Sequence, residues 1–259
     1  VNLDTQADFR SFLLSLRGKL IVGTRRWLIA PIGAKTPLEL CRRYHRMRRR
    51  LFSHRYTDSD PFAIVWVDPD SINRSVLEWI PKHPQWGRVV GGDWDQRWEP
   101  FGQRPVYQGL CERYEEGKPW AQTALFDAFT DQLRRFGNAW GYYSIAGFEA
   151  RCQEIDRLYE SIRTHGYRTQ VELAEEKTPR LAHVYGEINV DIGRDGTFYW
   201  RTYGQHRLAI AKILDLDHVP VVIHRRHAGW QEIRDRLQRD KTVSTSVKSH
   251  PDLQALLEP

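Results

Sequence analysis

The five residues Tyr203-Gly204-Gln205-His206-Arg207 offer the clearest chemistry in the sequence. They join a β-rich run to a segment of helical periodicity. A glycine at a strand-to-helix turn lets the backbone approach a ligand closely. The first turn of the helix would present N–H groups without intrahelical acceptors and a partial positive charge, and His206 and Arg207 fall in that turn. Residues of these types at this place suit a phosphate. The plainer alternative, from spacing alone, is a simple turn with two solvated side chains.

Other groups invite the same question. In Gly91-Gly92-Asp93-Trp94-Asp95 two acids flank a tryptophan in a predicted loop, which suits substrate or metal binding. An Asx turn that packs Trp94 on the body uses the same residues. His224-Arg225-Arg226-His227, followed by Trp230, could contact phosphates or a nucleobase, but alternation at a strand end favours solvent-facing side chains. Trp120 and Thr123 could line a substrate pocket, and an aromatic at helical spacing serves equally as core. Cys41, Cys111 and Cys152 are far apart, odd in number and without a CxxC, so neither a disulfide framework nor a zinc site is expected.

The elements that must position these groups can be read from periodicity and punctuation. Residues 8–56 read as helical, with a break near Pro31 to Gly33 and at Pro37. Within them Leu38, Leu40, Cys41, Tyr44, Met47 and Leu51 form an apolar stripe, and arginines fill the rest. Residues 62–67 (FAIVWV) read as a buried strand. Residues 68–108 are loop-rich, and 109–136 read as helix with a restart at Pro119. An amphipathic helix is expected over 148–165, with Gly166 as its C-cap. A hairpin turning at Arg194-Asp195-Gly196 joins strands at 187–192 and 198–201. A helix then runs from about 205 to 214, a strand over 219–224, a last helix over 229–238 and a polar tail over 240–259.

Charge is unevenly spread. The 259 residues carry a formal net charge of +6, but residues 1–56 alone carry +10 and the rest −4. A basic arm on a mildly acidic body is implied rather than a uniformly basic protein. The segment 42–55 could pair with nucleic-acid phosphates, lie on an anionic membrane surface, or be a solvated helix packed on the body. Its arginine run fits the last first, because a charge run is most often a solvated face. No stretch approaches the roughly 20 apolar residues of a spanning helix, and no signal-peptide pattern is read. A cytoplasmic location, with peripheral membrane attachment as a variant, is the expectation.

The order of motifs resembles the ParB/sulfiredoxin superfamily: strand FAIVWVDPDSI, helix IDRLYESIRTHGYRTQ, hairpin EINVDIGRDGTFYW, turn-helix YGQHRLAIAKILDL and strand HVPVVIHRR. The resemblance covers about 62–72 and 148–227. It implies an α/β fold with a small mixed sheet, a basic helical extension over 1–56, a domain over 57–239 with an insertion at about 75–147, and a tail. Partition proteins of this superfamily carry Gly-Glu-Arg-Arg at the turn, bind CTP and continue into a helix-turn-helix. Sulfiredoxins carry a catalytic cysteine there, where this chain has Gln205. Free-serine kinases of the fold carry Asp-Gly-His-His-Arg, to which Gly204-Gln205-His206-Arg207 is similar.

The resemblance therefore implies a nucleotide-dependent phosphotransferase for a small hydroxylated metabolite, using ATP or ADP and Mg²⁺. Gly204, Gln205, His206 and Arg207 would hold phosphates, with Arg168 and Gln170 from the loop after the long helix. Glu187 is the first choice for the proton-accepting base. Asp93 and Asp95, with Trp120, would select the acceptor alcohol. Tyr203 stands where the kinases carry an aspartate, so Asp191 is the candidate magnesium ligand. The alternatives are a ParB-like DNA-binding or nuclease protein and a nucleotide sensor without turnover.

Overall fold

The computed structural model describes residues 35–77, 85–174, 178–240, 245–254 and 256–257. The helical expectation for 8–34 lies outside them. In chain order the elements are α1 (Leu38–Leu51), β1 (Ile64–Val67), β2 (Arg74–Val76), β3 (Arg88–Val90), β4 (Trp98–Pro100), α2 (Pro105–Tyr114), α3 (Ala124–Phe136), α4 (Ile145–His165), α5 (Gln170–Ala174), α6 (Leu181–Gly186), β5 (Ile188–Ile192), β6 (Phe198–Trp200), α7 (Gln205–Ile213), β7 (Val219–His227), α8 (Ala228–Asp240), α9 (Thr245–Lys248) and α10 (Pro251–Gln254).

The seven strands of the described residues form one mixed sheet in the order β1-β7-β5-β6-β2-β4, with β3 also on β7. β1 runs antiparallel along the first half of β7, from Val67 opposite Val219 to Ile64 opposite Val222. β3 continues along the same edge, parallel, from Arg88 opposite Arg225 to Val90 opposite His227. β5 lies parallel on the other side of β7 and turns back antiparallel into β6. The expected hairpin is present: the Asp195 side chain accepts from the Thr197 amide at 3.0 Å, and Gly196 takes φ +91°.

Alternation along β5 sorts its two faces. Ile188, Val190 and Ile192 join Leu208, Ala209 and Ile210 of α7 and Phe148, Ile155 and Ile162 of α4 in the main core. Ser144 caps α4 by accepting from the Gly147 amide, and Gly166 ends it, which explains why that helix was legible. The other face carries Asn189 and Asp191, and a smaller cluster of Leu38, Phe62, Trp86, Val184 and Val222 lies beyond it.

Two readings of the sequence change here. Within 75–147, β3 and β4 are short strands that join the sheet, β3 on β7 and β4 on β2, which itself pairs with β6. The last strand extends through His224-Arg225-Arg226-His227, and all four side chains are buried rather than solvated. The tail also docks. Leu253 and Asp252 are buried, and Asp252 accepts from Arg226 Nε at 2.9 Å and from Trp230 Nε1 at 2.9 Å. Buried arginines are tolerable only when carboxylates meet them, and these carboxylates come from distant positions. Among the described residues no helix is long and apolar enough to cross a membrane.

Candidate functional site

Gly204 opens α7 in a left-handed conformation, φ +74°. A Cβ there would lie 2.5 Å from the Ile188 Cα. The glycine is thus required for contact with the start of β5, and the helix N-terminus is brought directly over Glu187. The amides of Gln205, His206 and Arg207 precede the first intrahelical bond, which runs from the Leu208 amide to the Gly204 carbonyl at 2.9 Å.

Glu187 is buried. One carboxylate oxygen, Oε1, accepts from the Gln170 amide at 2.5 Å. The other, Oε2, meets no donor among the described residues. Burial pushes this carboxyl up to about 7, against the opposing pull of the Gln170 amide and of Arg207. A carboxyl that titrates near neutrality beside a cation can accept a proton and release it again.

Arg207 bridges the turn and the loop after α4. Its Nη1 donates to the Arg168 carbonyl at 3.2 Å, and its guanidinium lies 5.3 Å from the centre of the Tyr167 ring. With the Gln170 amide turned so that its oxygen faces the guanidinium, that oxygen accepts from Nη1 at 2.9 Å and also from Nη2. Thr169 and Glu172 lock the loop: the Thr169 amide donates to Glu172 Oε2 at 2.6 Å and the Glu172 amide to Thr169 Oγ1 at 3.2 Å, a reciprocal capping pair. The structure therefore brings Gly204, Gln205, Arg207, Arg168, Gln170 and Glu187 together. Tyr167 belongs with them and was not singled out; the run Gly166-Tyr167-Arg168-Thr169-Gln170 was the available signal.

His206 lies in the same turn. Burial, helped by the nearby Arg151, pushes its imidazole down to about 4, so it is neutral at pH 7 and brings no positive charge to a phosphate. The cation that the structure shows at the site is Arg207; Arg168 meets it through its backbone carbonyl.

The remaining candidates sit elsewhere. Asp95 is buried and held by Arg194, whose amide donates to Oδ2 at 2.9 Å and whose Nη2 donates to Oδ1 at 2.7 Å. Although burial opposes it, this clasp holds the Asp95 carboxyl at about 2. Asp93 is exposed and accepts from the same Arg194 at 2.8 Å. Together they hold Arg194 and so anchor the β5–β6 hairpin. Trp120 donates to Asp156 Oδ2 at 3.0 Å, tying the connector between α2 and α3 onto α4.

Asp191 lies with Asn189 on the face of β5 turned away from the main core, fully buried. Its Oδ2 accepts from Arg201 Nη1 at 2.5 Å and from Arg225 Nε at 2.8 Å. His224 accepts the Gln85 amide on Nε2 at 2.9 Å, which leaves Nδ1 facing Asp191 Oδ1 at 3.7 Å. Burial would raise the Asp191 carboxyl, but the two guanidiniums outweigh it and hold it well below the usual range. Such a carboxylate does not fit a magnesium ion. More widely, among the described residues no group of three His, Cys, Asp or Glu side chains is placed to hold a metal.

No family model, no curated protein and no solved structure matches the chain.

Proposed function

We propose that the chain is a nucleotide-dependent phosphotransferase of ParB/sulfiredoxin type acting on a small hydroxylated metabolite. The observation that carries the reading is Glu187: a buried carboxyl with one unpartnered oxygen, pushed up to about 7 and under the pull of Arg207, at the start of β5 where the Gly204 turn packs. In this reading the nucleotide phosphates meet the first-turn amides of Gln205, His206 and Arg207 and the guanidiniums of Arg207 and Arg168. An anion there competes with Gln170 and Tyr167 for Arg207, and so uncovers Glu187 Oε2 for the acceptor. The hydroxyl oxygen of the acceptor attacks the terminal phosphorus as its proton passes to Glu187. The bond from phosphorus to the leaving phosphate oxygen breaks, giving a phosphate ester and a nucleotide shorter by one phosphate.

Magnesium, where it accompanies the nucleotide, supplies charge neutralisation on the phosphates; Asp191 has no part in holding it. The chain order β1, α4, β5–β6 hairpin, α7 and β7, with these strands in one sheet and the two helices packed in its core, supports the superfamily reading.

The test separates binding from transfer. Calorimetry with ATP or ADP and Mg²⁺ should show binding that Arg207→Ala weakens by about 10-fold or more. Glu187→Gln should keep that binding and lose transfer to a panel of hydroxylated metabolites by about 10²-fold or more. Absence of nucleotide binding to the unaltered chain contradicts the proposal, and binding without transfer to any acceptor leaves a sensor.

A further inference from the structure

Helix α1 presents three distinct faces. Its buried residues are Leu38 and His45, which pack on the body; the His45 ring is in hydrogen-bond contact with the Thr57 carbonyl, Nε2 to oxygen 3.1 Å. The apolar stripe divides. Leu40, Tyr44, Met47 and Leu51 remain 53%, 56%, 49% and 65% exposed, and Phe52 at the helix end is 48% exposed. At about 100° per residue these four helical positions fall within about 60° of one another, nearly opposite the buried face. Arg43, Arg46 and Arg50 fall within a similar arc on the flank. Residues 38–55 hold seven arginines against one acid, Glu39. Beside the stripe lies a groove of about 340 Å³ lined by Leu40, Cys41, Tyr44, Phe62, Trp86 and Tyr185, with Arg48 also on its wall.

We infer that α1 docks on an anionic lipid bilayer, with Leu40, Tyr44, Met47, Leu51 and Phe52 entering the acyl boundary and the flanking arginines meeting headgroup phosphates. An exposed apolar stripe between cationic flanks is what an interfacial helix needs. A nucleic acid rewards the cations but gains nothing from burying leucine and methionine. A second copy of the chain would bring one strongly cationic helix against another. Residues 1–34 carry five cations and two acids, a charge of the same sign as that of α1.

The experiment is vesicle flotation of the full 259-residue chain at about 0.15 M salt, with phosphatidylcholine alone and with about 30% phosphatidylserine. The chain is expected to float with the anionic vesicles and not with the neutral ones. The triple change Arg43→Gln, Arg46→Gln, Arg50→Gln should lower partitioning about 100-fold. The double change Met47→Ser, Leu51→Ser should lower it about 10-fold at unchanged Tm. No phosphatidylserine-dependent flotation overturns the inference, as does flotation that survives both variants. A Tm lowered by several degrees in the serine double variant overturns it by showing that the chain itself covers the stripe. A dimer in sedimentation that the serine double variant dissolves assigns the stripe to a second copy. Retention of duplex DNA, lost in the glutamine variant and untouched in the serine variant, assigns the surface to nucleic acid.

Discussion

Glu187 and Asp191 are buried carboxyls four residues apart on one run of chain, and they have opposite fates. Asp191 meets two guanidiniums and is held ionised. Glu187 meets one backbone amide, with a guanidinium nearby but turned to Gln170 and Arg168, and is pushed towards neutrality. Burial is common to both, so burial alone does not mark a site. The number of matched donors decides whether a buried acid serves the fold or stays available for proton transfer.

Removing Asp191 should have the largest effect. Asp191→Asn strands Arg201 and Arg225 in the interior and should cost about 3–5 kcal/mol in urea unfolding at neutral pH. A cost near zero would mean the pair is not structural. Gly204→Ala comes next, because it combines a left-handed backbone with a Cβ driven into Ile188. A loss of about 2–4 kcal/mol is expected even without nucleotide, which separates the packing role of the turn from its ligand role.

Glu187→Gln should act in the opposite direction to Asp191→Asn. The folded carboxyl titrates near 7 and the unfolded one near 4.3, so the folded state binds more protons between those values. Stability is full below the unfolded value and is lost as pH rises through the folded one. At about pH 9 the glutamine variant should therefore be about 2–3 kcal/mol more stable than the unaltered chain, with little difference near pH 4. Paired unfolding curves at the two pH values check this. His206 gives the smallest effect, with the other sign. Its folded value near 4 lies below the unfolded 6.5, so its contribution is present above 6.5 and lost as pH falls towards 4. His206→Gln should remove about 1–2 kcal/mol of that acid sensitivity, read from Tm against pH.

Much of the scaffold was legible because its signals are local. The α4 helix has its cap and its glycine stop, the hairpin has Asp-Gly, and β1 sits between Pro61 and Asp68-Pro69. The strands β2, β3 and β4 were not legible, since three residues carry no periodicity and exist through pairing with distant partners. Burial of Arg225 and Arg226 was hidden for the same reason: Asp191 and Asp252 lie 34 and 26 residues away. The stripe on α1 could be read as a pattern, but a pattern does not say which side meets the core. At the site, Gly204 and Arg207 followed from spacing. Glu187, Arg168 and Gln170 came from the resemblance, and their mutual contacts, with Tyr167, required the fold.

Among the described residues, Glu187 is held without an ion-pair partner and poised for proton transfer, unlike Asp191. The most direct test is a ¹³C titration of the side-chain carboxyl, assigned by the signal that disappears in Glu187→Gln. A midpoint near 7 is expected, shifting when nucleotide draws Arg207 away. A midpoint near 4.3, the ordinary value for a solvated glutamate, would contradict the account.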